Sequence, residues 1–128
     1  MQTKLVYVLT CAPEATYIEQ ALIAIWSARY HNPDAHIVLL TDNNTDKLLS
    51  GTRGELLQYV SEKIIIPFED DKNMHYRSRW LKTSVRRLVE GDYIFIDCDT
   101  IVTCDLSHIE TIDAEIAMVR DENLNIAD

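Results

Sequence analysis

Glycine, proline and cysteine each occur only three times in this chain of 128 residues. So little glycine and proline argues against a linker-rich or low-complexity chain. The cysteines, Cys11, Cys98 and Cys104, are odd in number and form no Cys-x-x-Cys pair. A disulfide framework or a zinc site is therefore not expected, and a reducing compartment is the default. Positive charge is also scarce: 12 basic against 21 acidic residues leave a net charge of −9. Nucleic acid and anionic membranes both require basic patches, so neither is an expected partner. Long hydrophobic runs are missing too. The run that follows Met1-Gln2-Thr3-Lys4 stops at Thr10. It is too short to span a membrane and has no signal-peptide cleavage pattern. The expected location is the cytoplasm.

What is present is enough for one domain. Hydrophobic residues make up 47% of the chain, and its length suits a single core rather than two. Leu5–Leu9 reads as a first strand. Pro13 and Glu14 make a helix entry, and Glu14–Tyr30 has helical spacing, with Ile18, Ala21, Leu22, Ile25 and Arg29 on one face. Asn32-Pro33 ends that helix. His36–Leu40 is expected to be a second strand, followed by the polar loop Thr41-Asp42-Asn43-Asn44. Helical turns are expected over Thr45–Ser50 and Glu55–Val60, then a third strand at Lys63–Pro67 and an acidic loop over Phe68–Asn73. His75–Val89 is helical, with Trp80, Leu81, Ser84, Val85 and Leu88 inward and Arg77, Arg86 and Arg87 outward. A turn of helix over Asp105–Ile109, a last strand at Glu115–Val119 and a polar tail over Asp121–Asp128 complete the reading. Alternating strands and helices imply an α/β fold: a Rossmann-like, mostly parallel sheet with helices on both faces.

Between Gly91 and Thr100 the sequence reads Gly-Asp-Tyr-Ile-Phe-Ile-Asp-Cys-Asp-Thr. Its hydrophobic core is expected to form a buried strand. Side chains alternate faces along a strand, so Asp97 and Asp99 point one way and Cys98 the other. Two like charges are costly to bury without a compensating cation, which places them at the strand's carboxyl end beside a ligand. Thr10-Cys11, Thr41-Asp42 and Pro67 with its acidic loop lie at the carboxyl ends of the other expected strands, where open parallel sheets bind ligands. An Asp-x-Asp offers hard oxygens to Mg²⁺ or Mn²⁺, and a diphosphate would supply the remaining oxygens. Such an ion acts as a Lewis acid on a leaving phosphate. The plain alternative is that one Asp caps the following turn and the other is solvated. A second alternative is a phosphatase with Asp97 as nucleophile, since haloacid-dehalogenase-type enzymes also carry Asp-x-Asp after a strand. They place Thr two residues beyond the second Asp, where this chain has Ile101.

Asp92–Val102, followed by Asp105-Leu106, resembles the Asp-x-Asp segment of nucleotide-sugar glycosyltransferases of the GT-A fold, family 8 and related bacterial enzymes in particular. Ala12-Pro13-Glu14-Ala15-Thr16-Tyr17 is similar to that family's first loop and base-stacking aromatic. Arg77-Ser78-Arg79-Trp80-Leu81-Lys82-Thr83 resembles the helix that brings a basic residue to the donor. The resemblance implies binding of a nucleotide-diphosphate sugar, a UDP-sugar foremost, and transfer of the sugar to a saccharide or other acceptor. It implies Asp99 as principal metal ligand and Asp97 as ligand of the metal, the ribose hydroxyls or both. Tyr17 would stack on the base, and Thr10, Cys11 and Ala12 would line the nucleotide pocket. Asp42 would sit near base or ribose, and Arg79 or Lys82 would meet phosphate or sugar. Tyr17 packing the helix start, and solvation of Arg79 and Lys82, are the structural alternatives.

Members of that family continue further, with acceptor-binding residues and a histidine metal ligand. Residues 1–128 are accordingly expected to be an amino-terminal nucleotide-sugar-binding part, or else a naturally short relative, in either case incomplete as a catalyst and prone to self-association through exposed apolar surface. A non-catalytic nucleotide-binding module of the same fold is the alternative. No residue stands out as general base or nucleophile, and the resemblance leans toward retention of configuration.

Overall fold

Strand β1 (Lys4–Leu9) is buried on both faces, and the rest of the chain wraps it. The computed structural model describes residues 1–120; the polar tail expected over Asp121–Asp128 lies outside them. Leu5, Tyr7 and Leu9 enter one apolar cluster, whereas Val6 and Val8 enter a second. Strand β2 (Ile37–Asp42) behaves the same way, with Ile37 and Leu39 on the first side and Val38 and Leu40 on the second. Strands covered on both faces read as continuous apolar runs rather than alternating ones, which is why Leu-Val-Tyr-Val-Leu and Ile-Val-Leu-Leu carry no polar interruption.

Helix α1 (Tyr17–His31) covers the first face with Ile18, Ala21, Ala24, Ile25 and Ala28. The alanines let its backbone approach the sheet closely. Arg29, expected on the apolar face, is half-buried and donates to the carbonyls of Ala35 (2.7 Å) and Tyr59 (3.0 Å). The helix begins at Tyr17 rather than Glu14 because Ala12–Ala15 forms a turn closed by the Ala15 N–H on the Ala12 carbonyl, 3.1 Å. After β2 comes a short helix, α2 (Asn43–Asp46), then a 3-10 helix, Gly51–Tyr59, beside α1. Strand β3 is Glu62–Ile66. Helix α3 (Met74–Leu88) returns the chain across the second face, placing Leu81, Val85 and the following Val89 against Val6, Val8, Val38 and Leu40. The Asn73 side chain caps it by accepting the Tyr76 N–H at 2.8 Å. Strand β4 (Tyr93–Phe95) then pairs with β1.

All four strands are parallel, in the order β3-β2-β1-β4, with helices on both faces. This is an α/β fold of Rossmann-like kind. The chain moves outward from β1 to β3, then jumps back over α3 to β4 on the other side of β1. The order therefore reverses between β1 and β4, and at such a reversal open α/β sheets leave a crevice outside the strands' carboxyl ends.

Several sequence expectations are corrected. The strand expected between Gly91 and Thr100 is neither long nor buried. Only Tyr93–Phe95 forms regular strand, and the Ile96 N–H adds one more bond to Val6. It stands at the sheet edge, so half its backbone groups have no neighbouring strand among the described residues. Glu115–Val119 forms no strand, and Ile116, Met118 and Val119 are 81%, 89% and 98% exposed. Strand-forming side chains need a pleated neighbour to pack on, and none adjoins them there. Thr41 and Asp42, expected in a loop, continue β2 because the Thr41 hydroxyl donates to the Leu9 carbonyl at 2.8 Å. Arg77, expected to face outward, is fully buried. Among the described residues no helix is long and apolar enough to cross a membrane.

Arg77 explains how the second face closes over the end of β2. Its guanidinium donates to Asp42 Oδ2 (2.8 Å), to Asn43 Oδ1 (3.2 Å) and to the carbonyls of Glu69 (3.0 Å) and Lys72 (2.8 Å). It also lies 5.5 Å from the Phe68 ring. One buried charge thus ties α3, the 67–73 loop and β2 together. Breaking a buried pair by removing one partner strands the other charge, at a cost of about 3–5 kcal/mol. Arg77→Met is therefore expected to lose about that much in urea denaturation, and Arg77→Met with Asp42→Leu to recover a large part. A loss below about 1 kcal/mol for the single variant would contradict this role.

Candidate functional site

The residues flanking the β1–β4 crevice come from two short stretches, 10–17 and 96–102. At the end of β1, Cys11 is buried and its N–H donates to the Thr45 hydroxyl at 2.9 Å. Thr45 is fixed in turn by its own N–H on Asp42 Oδ1, 3.2 Å. Arg53 holds the loop from the other side, donating to the carbonyls of Pro13 (2.9 Å) and Ala15 (2.8 Å) and pairing with Glu19 at 3.0 Å. Thr10 and Ala12 are partly exposed on this pinned backbone. Tyr17 opens α1 with 47% of its surface exposed, so its ring is not consumed by packing at the helix start.

At the end of β4 the chain turns. The Thr100 hydroxyl donates to the Asp97 carbonyl at 2.6 Å. Asp97 and Asp99 are both exposed. Cys98 faces the opposite way, into the α1 side of the core, with its thiol on the Val8 carbonyl at 3.2 Å. Burial, reinforced by the neighbouring Asp97 carboxylate and opposed by Lys82, pushes that thiol up to about 12. The alternation read from sequence thus holds at Asp97 and Cys98. Beyond the turn, the Val102 N–H donates to the Ser27 hydroxyl (3.0 Å) and the Leu106 N–H to Asn32 Oδ1 (2.7 Å), which straps residues 102–106 along α1. Glu110 closes the strap by accepting the Thr3 N–H at 2.7 Å, a bond that draws its carboxyl below the usual range.

On the α3 side, Lys82 reaches Asp97 Oδ1 at 3.2 Å, its ammonium also 5.9 Å from the Phe95 ring. The structure therefore brings Asp97 and Lys82 together, and the Cys98 thiol on the Val8 carbonyl sets this turn beside the end of β1, which Thr10, Cys11 and Ala12 follow. Arg79 lies exposed on α3, with no ion-pair partner among the described residues. Asp42 stands apart: it is buried at the end of β2, and both of its oxygens are engaged, by Arg77 and by the Thr45 N–H. Its link to the end of β1 runs through Thr45 and Cys11.

Two solvent-facing carboxylates suit a hard divalent cation, which prefers oxygen ligands. Among the described residues no group of three or more His, Cys, Asp or Glu side chains converges, so such an ion would draw most of its oxygens from a ligand or water. Two carboxylates are not by themselves a protein cage for such an ion. A separate depression of about 230 Å³, lined by Lys4, Glu62, Ile64, Leu88, Val89 and Glu90, lies at the amino ends of β1 and β3, away from these groups. Open parallel sheets bind ligands at the opposite ends, so it is not the candidate.

Sequence reasoning passed over Arg53, Thr45 and the buried role of Arg77. Arg53 sits between Gly51 and Gly54 in a stretch without apolar periodicity, and only the tertiary fold brings it to the first loop. The three thiols sort by burial: Cys104 is exposed, Cys98 half-buried and Cys11 buried. Thiolate is the reactive form, so at pH 8 one thiol per chain, Cys104, is expected to react rapidly with a disulfide reagent. Cys98 should label only on unfolding, and a fast second equivalent assigned to Cys98 would contradict its environment.

The chain matches no protein-family model and no curated protein sequence.

Proposed function

We propose that the β1–β4 crevice binds a nucleotide-diphosphate sugar together with Mn²⁺ or Mg²⁺, as the nucleotide-binding part of a GT-A-type glycosyltransferase. The observation that carries this reading is the position of Asp97-Cys98-Asp99 at the sheet's point of reversal, with the Lys82 ammonium 3.2 Å from Asp97. Anionic and cationic side chains meet where open α/β sheets bind ligands. The resemblance of residues 92–106 to the glycosyltransferase Asp-x-Asp segment names the ligand class.

In this reading Asp97 and Asp99 hold the ion, with Asp97 also within reach of the ribose. Tyr17 stacks on the base, and the backbone of Thr10, Cys11 and Ala12, held by Thr45 and Arg53, walls the nucleotide pocket. Asp42 supports that wall through Thr45. Lys82 or Arg79 meets the phosphates. The bound ion supplies charge neutralisation on the departing diphosphate. The protein's contribution is positioning and fixed charge. The reaction this site would serve is transfer of the sugar to an acceptor. The exposed Ile112, Ile116, Met118 and Val119 are in keeping with self-association of the chain.

Calorimetry with UDP and several nucleotide sugars, with and without Mn²⁺, tests the reading on wild type and Asp99→Ala. Binding is expected to require the metal and to weaken about tenfold or more in the variant, the scale on which metal-site substitutions act. Metal-independent binding that survives Asp99→Ala would sink the proposal.

A further inference from the structure

We infer that Lys82 is the resident counter-ion of Asp97: the divalent cation must displace it, the diphosphate then receives it, and the two ligands consequently bind in synergy. This rests on the functional reading above and deepens it. Two contacts fix the starting position, the 3.2 Å pair with Asp97 Oδ1 and the placement of the ammonium 5.9 Å from the Phe95 ring. Phe95 and Asp97 are two residues apart on the chain and both meet the same lysine, so the cation is already seated on the carboxylate that a metal would use. Asp99 has no such occupant among the described residues.

An ammonium and a dication cannot share Asp97 without repulsion, even in a high-dielectric setting. Metal alone must therefore work against Lys82. The lysine is free to leave: its side chain is 46% exposed, and its ammonium has no partner among the described residues beyond Asp97 and the Phe95 ring. A four-carbon stem with three rotatable donors makes lysine a mobile point charge suited to phosphate. A diphosphate arriving with the ion gives the ammonium a new acceptor, converting competition into cooperation. Coupling of this kind is reciprocal, so each ligand tightens the other.

The test measures Mn²⁺ binding alone, and UDP binding at saturating Mn²⁺, by calorimetry. It compares wild type, Lys82→Met and Lys82→Arg, with circular dichroism melting to verify folding. Lys82→Met keeps the stem and loses the charge. It is expected to bind Mn²⁺ alone about two- to five-fold more tightly, the range an exposed ion pair supports, and to bind UDP with Mn²⁺ more weakly. Opposite signs for the two ligands are the signature, because a merely structural lysine would move melting temperature and leave Mn²⁺ affinity alone. Lys82→Arg should restore the wild-type pattern. If wild type binds UDP with Mn²⁺ but Lys82→Met leaves Mn²⁺ affinity unchanged or weaker, this inference is overturned and the functional reading stands. If wild type binds neither ligand, the functional reading fails and takes the inference with it.

Discussion

A strand buried on both faces must be covered from both sides, and that requirement on β1 shapes everything else. Leu5, Tyr7 and Leu9 need one cover, and Val6 and Val8 need another. One helix cannot serve both. The chain therefore crosses one face through α1 on its way to β2, and the other through α3 on its way to β4. Covering the second face brings β4 to the free edge of β1, which is what reverses the strand order. The crevice is thus a by-product of satisfying the central strand, and the residues that leave β1 and β4 inherit it.

Aspartates at the strand ends meet opposite fates under this constraint. Asp42 ends an interior strand and is sealed under α3, where water cannot satisfy it. Arg77 and the Thr45 N–H do so instead. Removing a charge from water is tolerable only with such partners. Asp97 and Asp99 follow the edge strand and remain in solvent, where desolvation costs little and an incoming cation finds them accessible. Burial, rather than residue type, separates the structural carboxylate from the two available for binding. Between the two ends run Thr45, Cys11 and Arg53, so the buried network also fixes the loop that walls the crevice.

The two interior strands were legible because double burial leaves an unbroken apolar run. Helix α3 was legible because Leu81, Ser84, Val85 and Leu88 repeat at its period. The sequence also placed Asp97 and Cys98 on opposite faces, since alternation survives to the last residue before the turn. Other features depended on distant partners. Arg77 looks like any surface arginine until Asp42, from another strand, reaches it. Arg53 acquires its role only when the 3-10 helix packs beside α1. Glu115–Val119 has the composition of a strand, yet composition does not create a neighbour to pair with. Local pattern reports what a segment can do, and tertiary neighbours decide what it does.

The claim at the centre of this account is that the ends of β1 and β4 form one metal-dependent binding site. Paramagnetic broadening of backbone amide signals by Mn²⁺, recorded with UDP present, locates such an ion directly. The account predicts that broadening is strongest at Asp97–Thr100, extends to Thr10–Ala12 and Lys82, and is absent at Lys4, Glu62 and Glu90 at the opposite sheet ends. Broadening centred on those opposite ends, or on the acidic 69–71 loop, would contradict it.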